Sequence, residues 1–214
     1  MRISLSHYRK SCQFYRKNLR RTDELLYKLC SGHSNHTEQD WVHTKVLLIG
    51  RGFASGIERQ VPAKAGPGSS IWQVSQFLHV QRREVDAILH RLASIGEPLH
   101  PGSLRLIVAE HGRFCSLLAQ VTKKRSARSF ASKYLHFHRP VVPIYDQQAY
   151  GSAWRLRARP WQVEAMTNTD GADWHYSSYA QCFWHVYDTI QQMADTKMDE
   201  VTVRLVEEYL GGLA

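Results

Sequence analysis

A chain of 214 residues, 43% hydrophobic and 22% charged, has the material for one folded domain and excludes a mainly disordered or fibrous character. Its 28 Lys and Arg against 19 Asp and Glu leave a net charge of +9, which suits a polyanionic partner such as nucleic acid. Cys12, Cys30, Cys115 and Cys182 are scattered, with no CxxC pair. Neither a disulfide framework nor a zinc ribbon is indicated, and a reducing, cytoplasmic setting is expected.

Period-3.6 patterns dominate and no convincing alternating run exceeds four or five residues, so the expected class is all-α. A first helix is predicted over roughly 6 to 30; the opening "MRISLSHYRKSCQFYRK" has no apolar run of signal-peptide length. A second starts near Thr37 and Asp40 and runs through Trp41, Lys45 and Leu48. Within it "VLLIG" is too short to span a bilayer, and no basic amphipathic segment with a clean apolar face stands out, so no membrane partner is expected. "QVPAKAGPGSS" is the clearest loop. Residues 1–214 read as a single domain with, if there are two lobes, their boundary near 60–70.

"IWQVSQFLHV" begins the next helical block, and "REVDAILHRLASIG" places Val85, Ile88, Leu89, Leu92 and Ile95 on one apolar stripe, with Gly96 as stop. A further helix is predicted from Leu104 to Val121, closing in the basic run "TKKRSARS". In the last third, "DWHYSSYAQCFWHVYDTIQQM" and "TKMDEVTVRLVEEYLGG" read as helices, the latter with Thr196 and Asp199 as a capping box and Gly211 as terminator.

The chemistry concentrates in "SFASKYLHFHRPVVPIYDQQAY". On a helix over 129–138, Lys133 lies three residues after Phe130 and four before Phe137, which puts an ammonium on an apolar face. A lysine desolvated there loses part of its preference for the charged form, and its neutral amine becomes a usable nucleophile near pH 7. Asp146, at the start of the next helix, is placed to stabilise positive charge on a sugar as a glycosidic bond breaks. The bland alternatives stay open: Lys133 snorkels to solvent while Asp146 caps "DQQAYGSAWRL", or the two form a buried ion pair.

The order of these parts resembles the helix-hairpin-helix DNA glycosylases, in particular the 8-oxoguanine glycosylase branch and the small glycosylase-like proteins of bacterial antiviral clusters. There a motif of the kind "FAxKxxxY" supplies a catalytic lysine, matched here by "FASKYLHF" and Lys133. A later "P-I-x-D" supplies an aspartate, matched by "VPIYDQQA" and Asp146. Where family members carry a Gly-x-Gly hairpin turn, this chain has "RSARSFASK". The match covers about residues 120 to 155.

The resemblance implies a two-lobed helical bundle with a central cleft and no cofactor, acting as a monomer on DNA. It implies excision of a modified or damaged base, with strand nicking by β-elimination if Lys133 forms a Schiff base, in repair or in defence against phage. The alternatives are a monofunctional enzyme in which Asp146 positions water, and a DNA- or nucleotide-binding module without chemistry. Lys123, Lys124, Arg125, Arg128 and Ser129 are expected at the phosphates beside the hairpin, with Arg155, Arg157 and Arg159 as a second basic patch. Trp174, Tyr176, Tyr179 and Trp184, in a segment too rich in polar neighbours to be wholly buried, are the candidates for stacking a flipped base. His33 and His36, and His136 and His138, come without a third ligand at an interpretable spacing, so no metal site is expected.

Overall fold

The computed structural model describes residues 2–62, 69–122, 127–157, 171–194 and 200–213; among them are ten α-helices and no strand. The chain is all-α. The stretch predicted as one helix over 6–30 is two, α1 (Leu5–Asn18) and α2 (Arg20–Gly32), and Leu19 is the break. Its amide donates to the Tyr15 carbonyl, closing α1, and its own carbonyl accepts from Thr22 and Asp23, opening α2. Beside it the Asn18 side chain donates to the Phe14 carbonyl at 2.9 Å, the local competition for backbone groups that makes Asn poor in helix interiors. The buried Asp23 carboxylate accepts from the Tyr15 hydroxyl at 3.0 Å and from Arg204 Nε at 2.6 Å, so the break is tied to the far end of the chain.

Helix α3 (Gln39–Gly52) has Glu38 at its N-cap with no side-chain cap bond, and Thr37, one residue earlier, donates its hydroxyl to Asn35 Oδ1. Asp40 sits in its first turn, where a carboxylate suits the helix dipole. A 3₁₀ turn (Ile57–Arg59) precedes α4 (Ser70–Val80) and α5 (Arg82–Leu92). The predicted stripe is the buried face of α5: Val85, Ile88, Leu89 and Leu92 point inward, and the helix stops before Gly96. Helix α6 (Pro101–Leu118) starts on a proline, which has no amide to leave unpaired there. Then come α7 (Arg128–His138), α8 (Gln147–Leu156), α9 (Trp174–Met193) and α10 (Val203–Gly211). Thr196 and Asp199 lie outside the described residues; Thr202 caps α10, its hydroxyl accepting from the Leu205 amide at 3.3 Å.

Helix α7 is the centre of the packing. It lies against α2, α3 and α6, and every residue from Phe130 to His138 is buried. Around it α10 packs on α1 and α8, α8 on α9, and α9 on α6, while α3 and α4 pack on each other. Side chains from the ten described helices join one hydrophobic core, which holds Cys12, Cys30, Cys115 and Cys182, none of them in a disulfide. Among the described residues no helix is long and apolar enough to cross a membrane.

Candidate active site

Lys133 is buried, 7% exposed, on the face of α7 that also carries Phe130 and Phe137. Its Nζ turns to a backbone carbonyl. It donates to the Phe53 carbonyl at 2.7 Å. Burial lowers the pKa of the amine, against the opposing fields of Asp146 and then Glu207, which favour the ammonium. The accepting carbonyl belongs to the turn that closes α3, where Ala54 has φ +47° and Gly56 φ +72°. A non-glycine residue in the left-handed region is uncommon and marks stored backbone strain beside the lysine. The Phe53 ring packs on Phe137, 4.7 Å between centroids, and fixes the turn against α7.

Asp146 opens α8, its Oδ1 accepting from the Ala149 amide at 2.6 Å. The capping role read from the sequence is therefore real, and it coexists with a field felt at Lys133. The link that delivers Asp146 has no regular secondary structure, yet its backbone is held. His136 Nδ1 donates to the Val142 carbonyl at 2.8 Å and the Tyr176 hydroxyl to the Pro143 carbonyl at 2.8 Å. The Ile144 amide donates to Glu207 Oε1, and the Tyr145 amide donates to Ser132 Oγ at 2.9 Å.

The candidate phosphate-binding residues divide. Lys123, Lys124, Arg125 and Arg159 lie outside the described residues. Arg128 is not free for phosphate: its guanidinium forms a two-point ion pair with Asp173, Nε to Oδ1 at 2.5 Å and Nη2 to Oδ2 at 2.7 Å, and also lies over the Tyr145 ring. Asp173 itself caps α9, so the pair latches the start of α7 to the start of α9. Ser129, half-buried in the first turn of α7, accepts at its carbonyl from the Ser132 hydroxyl. Arg155 is exposed at the end of α8 and donates to Ser152 Oγ and the Leu213 carbonyl. Arg157 lies over the Trp154 ring, 3.3 Å from its centroid.

The aromatic candidates also divide, and burial corrects the expectation for two of them. Tyr176 and Tyr179 are wholly buried, because α9 is packed by α6, α8 and α10 and takes its polar neighbours Ser177 and Gln181 inside with it. Tyr176 stacks on His111 at 3.5 Å, and Tyr179 meets Tyr145, the residue before Asp146, edge-on at 5.5 Å. Trp174 is 70% exposed at the start of α9. Trp184 stacks against Tyr187, whose hydroxyl accepts from the Leu99 amide, away from the Lys133 link.

Several buried ionisable groups escaped the sequence reading, among them Asp23, His111, Glu207, Lys45 and Glu110. Glu207 is buried on α10, its carboxyl pushed up to about 8 by burial against the opposing pull of Arg204 and the Ile144 amide. Lys45 is fully buried on α3, donating to the carbonyls of His33 and Asn35 and to His138 Nε2, with its amine pushed down to about 8 by burial. Glu110 on α6 is clasped by Arg91 and Arg113. The usable signal was the one that flagged Lys133: Glu207 lies four residues after Val203 and three before Leu210, and Lys45 three after Val42 and four before Ile49.

The histidine pairs are structural. His36 bridges Asp86 and the Tyr134 hydroxyl. The His136 Nδ1–H bond to a carbonyl leaves Nε2 to accept from the Tyr27 hydroxyl at 2.6 Å, and His138 binds the Tyr134 carbonyl. Among the described residues no group of three or more His, Cys, Asp or Glu is arranged to hold a metal ion. The sequence matches no model of a protein family and no curated protein, and the fold matches no solved structure.

Proposed function

We propose that the protein is a DNA glycosylase of the helix-hairpin-helix type, with Lys133 and Asp146 as its catalytic pair. The observation that carries this reading is the state of Lys133: an amine desolvated on α7, hydrogen-bonded to a carbonyl and within the field of an aspartate at a helix start. Such an amine, once neutral, attacks the sugar C1′ as the glycosidic bond breaks; the base leaves and a Schiff base to Lys133 follows, from which β-elimination can nick the strand. The Asp146 carboxylate stabilises the positive charge that develops on the sugar. The net charge of +9 supports a DNA partner.

The test is incubation with DNA carrying candidate modified bases, followed by detection of released base and by borohydride trapping. Wild-type protein is expected to release base and form a covalent adduct that Lys133→Ala does not form. Base release without an adduct would point to Asp146 activating water, and DNA binding without either would leave a non-catalytic binding module.

A further inference from the structure

The chain from Val142 to Tyr145 leads to Asp146 without a helix or strand to hold it, yet each of its four residues shares a backbone hydrogen bond with a buried side chain, Val142 and Pro143 accepting and Ile144 and Tyr145 donating. Ser132 and His136, on α7, flank Lys133 itself; Tyr176 comes from α9 and Glu207 from α10. The next residue is Asp146. Of the four anchors only Glu207 is a carboxylate, and enclosing one is costly unless its oxygens are satisfied. Its Oε2 has no hydrogen-bond partner, although Arg204 Nη1 stands 3.7 Å away. A glutamine would offer the Ile144 amide the same acceptor, so substitution separates the acceptor from the ionisable group. What Glu207 supplies is an acceptor, fixed on α10, for the Ile144 amide two residues before Asp146.

We propose that Glu207 is a positioning residue for the Lys133–Asp146 pair: by fixing the Ile144 amide it sets where the Asp146 carboxylate stands relative to the Lys133 amine. This rests on the reading of that pair as catalytic. Arg204 stands behind the Glu207 carboxyl and is itself held by Asp23, which links the α1–α2 break to the site through Arg204. With its carboxyl pushed up to about 8, Glu207 is mostly protonated at neutral pH, and a glutamine is then a close mimic of it.

The experiment compares Glu207→Ala, Glu207→Gln and Glu207→Asp in the full chain. Amide exchange of peptides covering 142–146 is expected to speed up about tenfold in Glu207→Ala while α5 stays protected, and to return near wild type in Glu207→Gln. Single-turnover base release at saturating DNA is expected to slow about 10- to 100-fold in Glu207→Ala, with the DNA dissociation constant unchanged, and most of the loss to be recovered in Glu207→Gln. Faster exchange with an unchanged rate would overturn the proposal, as would an alanine variant that matches wild type in both. If Glu207→Ala does not fold, the shortened Glu207→Asp must be slower than Glu207→Gln, and equal rates overturn it. If wild type releases no base and forms no adduct on any DNA, the glycosylase reading fails. Positioning is then decided by trinitrobenzenesulfonate labelling of Lys133 across pH, whose midpoint must move in Glu207→Ala and stay in Glu207→Gln; an unmoved midpoint overturns the proposal.

Discussion

The Lys133 ammonium donates to the Phe53 carbonyl at 2.7 Å, joining α7 to the strained turn that closes α3 across eighty residues of sequence. Since its direct partner is a neutral carbonyl, removing the lysine strands no carboxylate in an ion pair. Lys133→Met is therefore expected to cost about 1–3 kcal/mol, the penalty for a carbonyl left unpaired, and not the roughly 3–5 kcal/mol of a broken buried ion pair. Thermal melts check this, and the same variant should form no borohydride adduct.

Asp146 caps α8 and, as proposed, acts on the sugar, and two substitutions separate the roles. Asn is as good an N-cap as Asp, so Asp146→Asn should keep stability within about 1 kcal/mol of wild type while losing several orders of magnitude in rate. Asp146→Ala should lose the same rate and about 1 kcal/mol in addition. An asparagine variant with wild-type turnover would confine Asp146 to capping.

Arg128 and the basic run before it should behave differently in DNA binding. Arg128→Ala breaks the two-point pair with Asp173 and should destabilise the fold by on the order of 3 kcal/mol, without changing the salt dependence of binding. Replacing Lys123, Lys124 and Arg125 should leave stability intact and flatten the log-log salt slope by about 0.9 for each phosphate no longer neutralised. Equal slopes in both variants would remove the assignment.

Acid should destabilise the protein well before its carboxylates protonate. Burial pushes His111 down to about 4 and His136 to about 3, and it lowers His36 and His138 as well. Below the ordinary value of 6.5 the unfolded chain binds protons that these folded histidines refuse, so stability falls as pH drops from 6.5 toward 4, each group contributing up to about 1.4 kcal/mol per pH unit. Glu207 works the other way between about 8 and its ordinary 4.5, as do Glu97 and Glu208, which burial also raises, but three carboxyls oppose four histidines. Urea midpoints at pH 7, 6 and 5 should decline; a flat series would contradict the burial of these rings.

The turn at Ala54 predicts an inverted glycine effect. With φ at +47°, Ala54→Gly relieves about 1–2 kcal/mol of left-handed strain and should not destabilise, whereas Ala54→Val adds a β-branched side chain there and should cost more than wild type carries. Denaturant midpoints of the two variants give the comparison.

Sequence alone determined what depends on neighbours three or four residues away. The helical class, the buried stripe of α5, the cap at Asp146 and the enclosure of Lys133 were all readable, because periodicity and capping are local properties of the chain. Tertiary structure decided the rest. The break at Leu19 is coupled to Arg204 through Asp23; Arg128 is taken by Asp173, 45 residues on; Tyr176 and Tyr179 are covered by helices from elsewhere; and Glu207 finds the Ile144 amide across 63 residues. These are bonds between side chains and groups distant in sequence, and no local spacing specifies which buried donor meets which acceptor once the helices have packed.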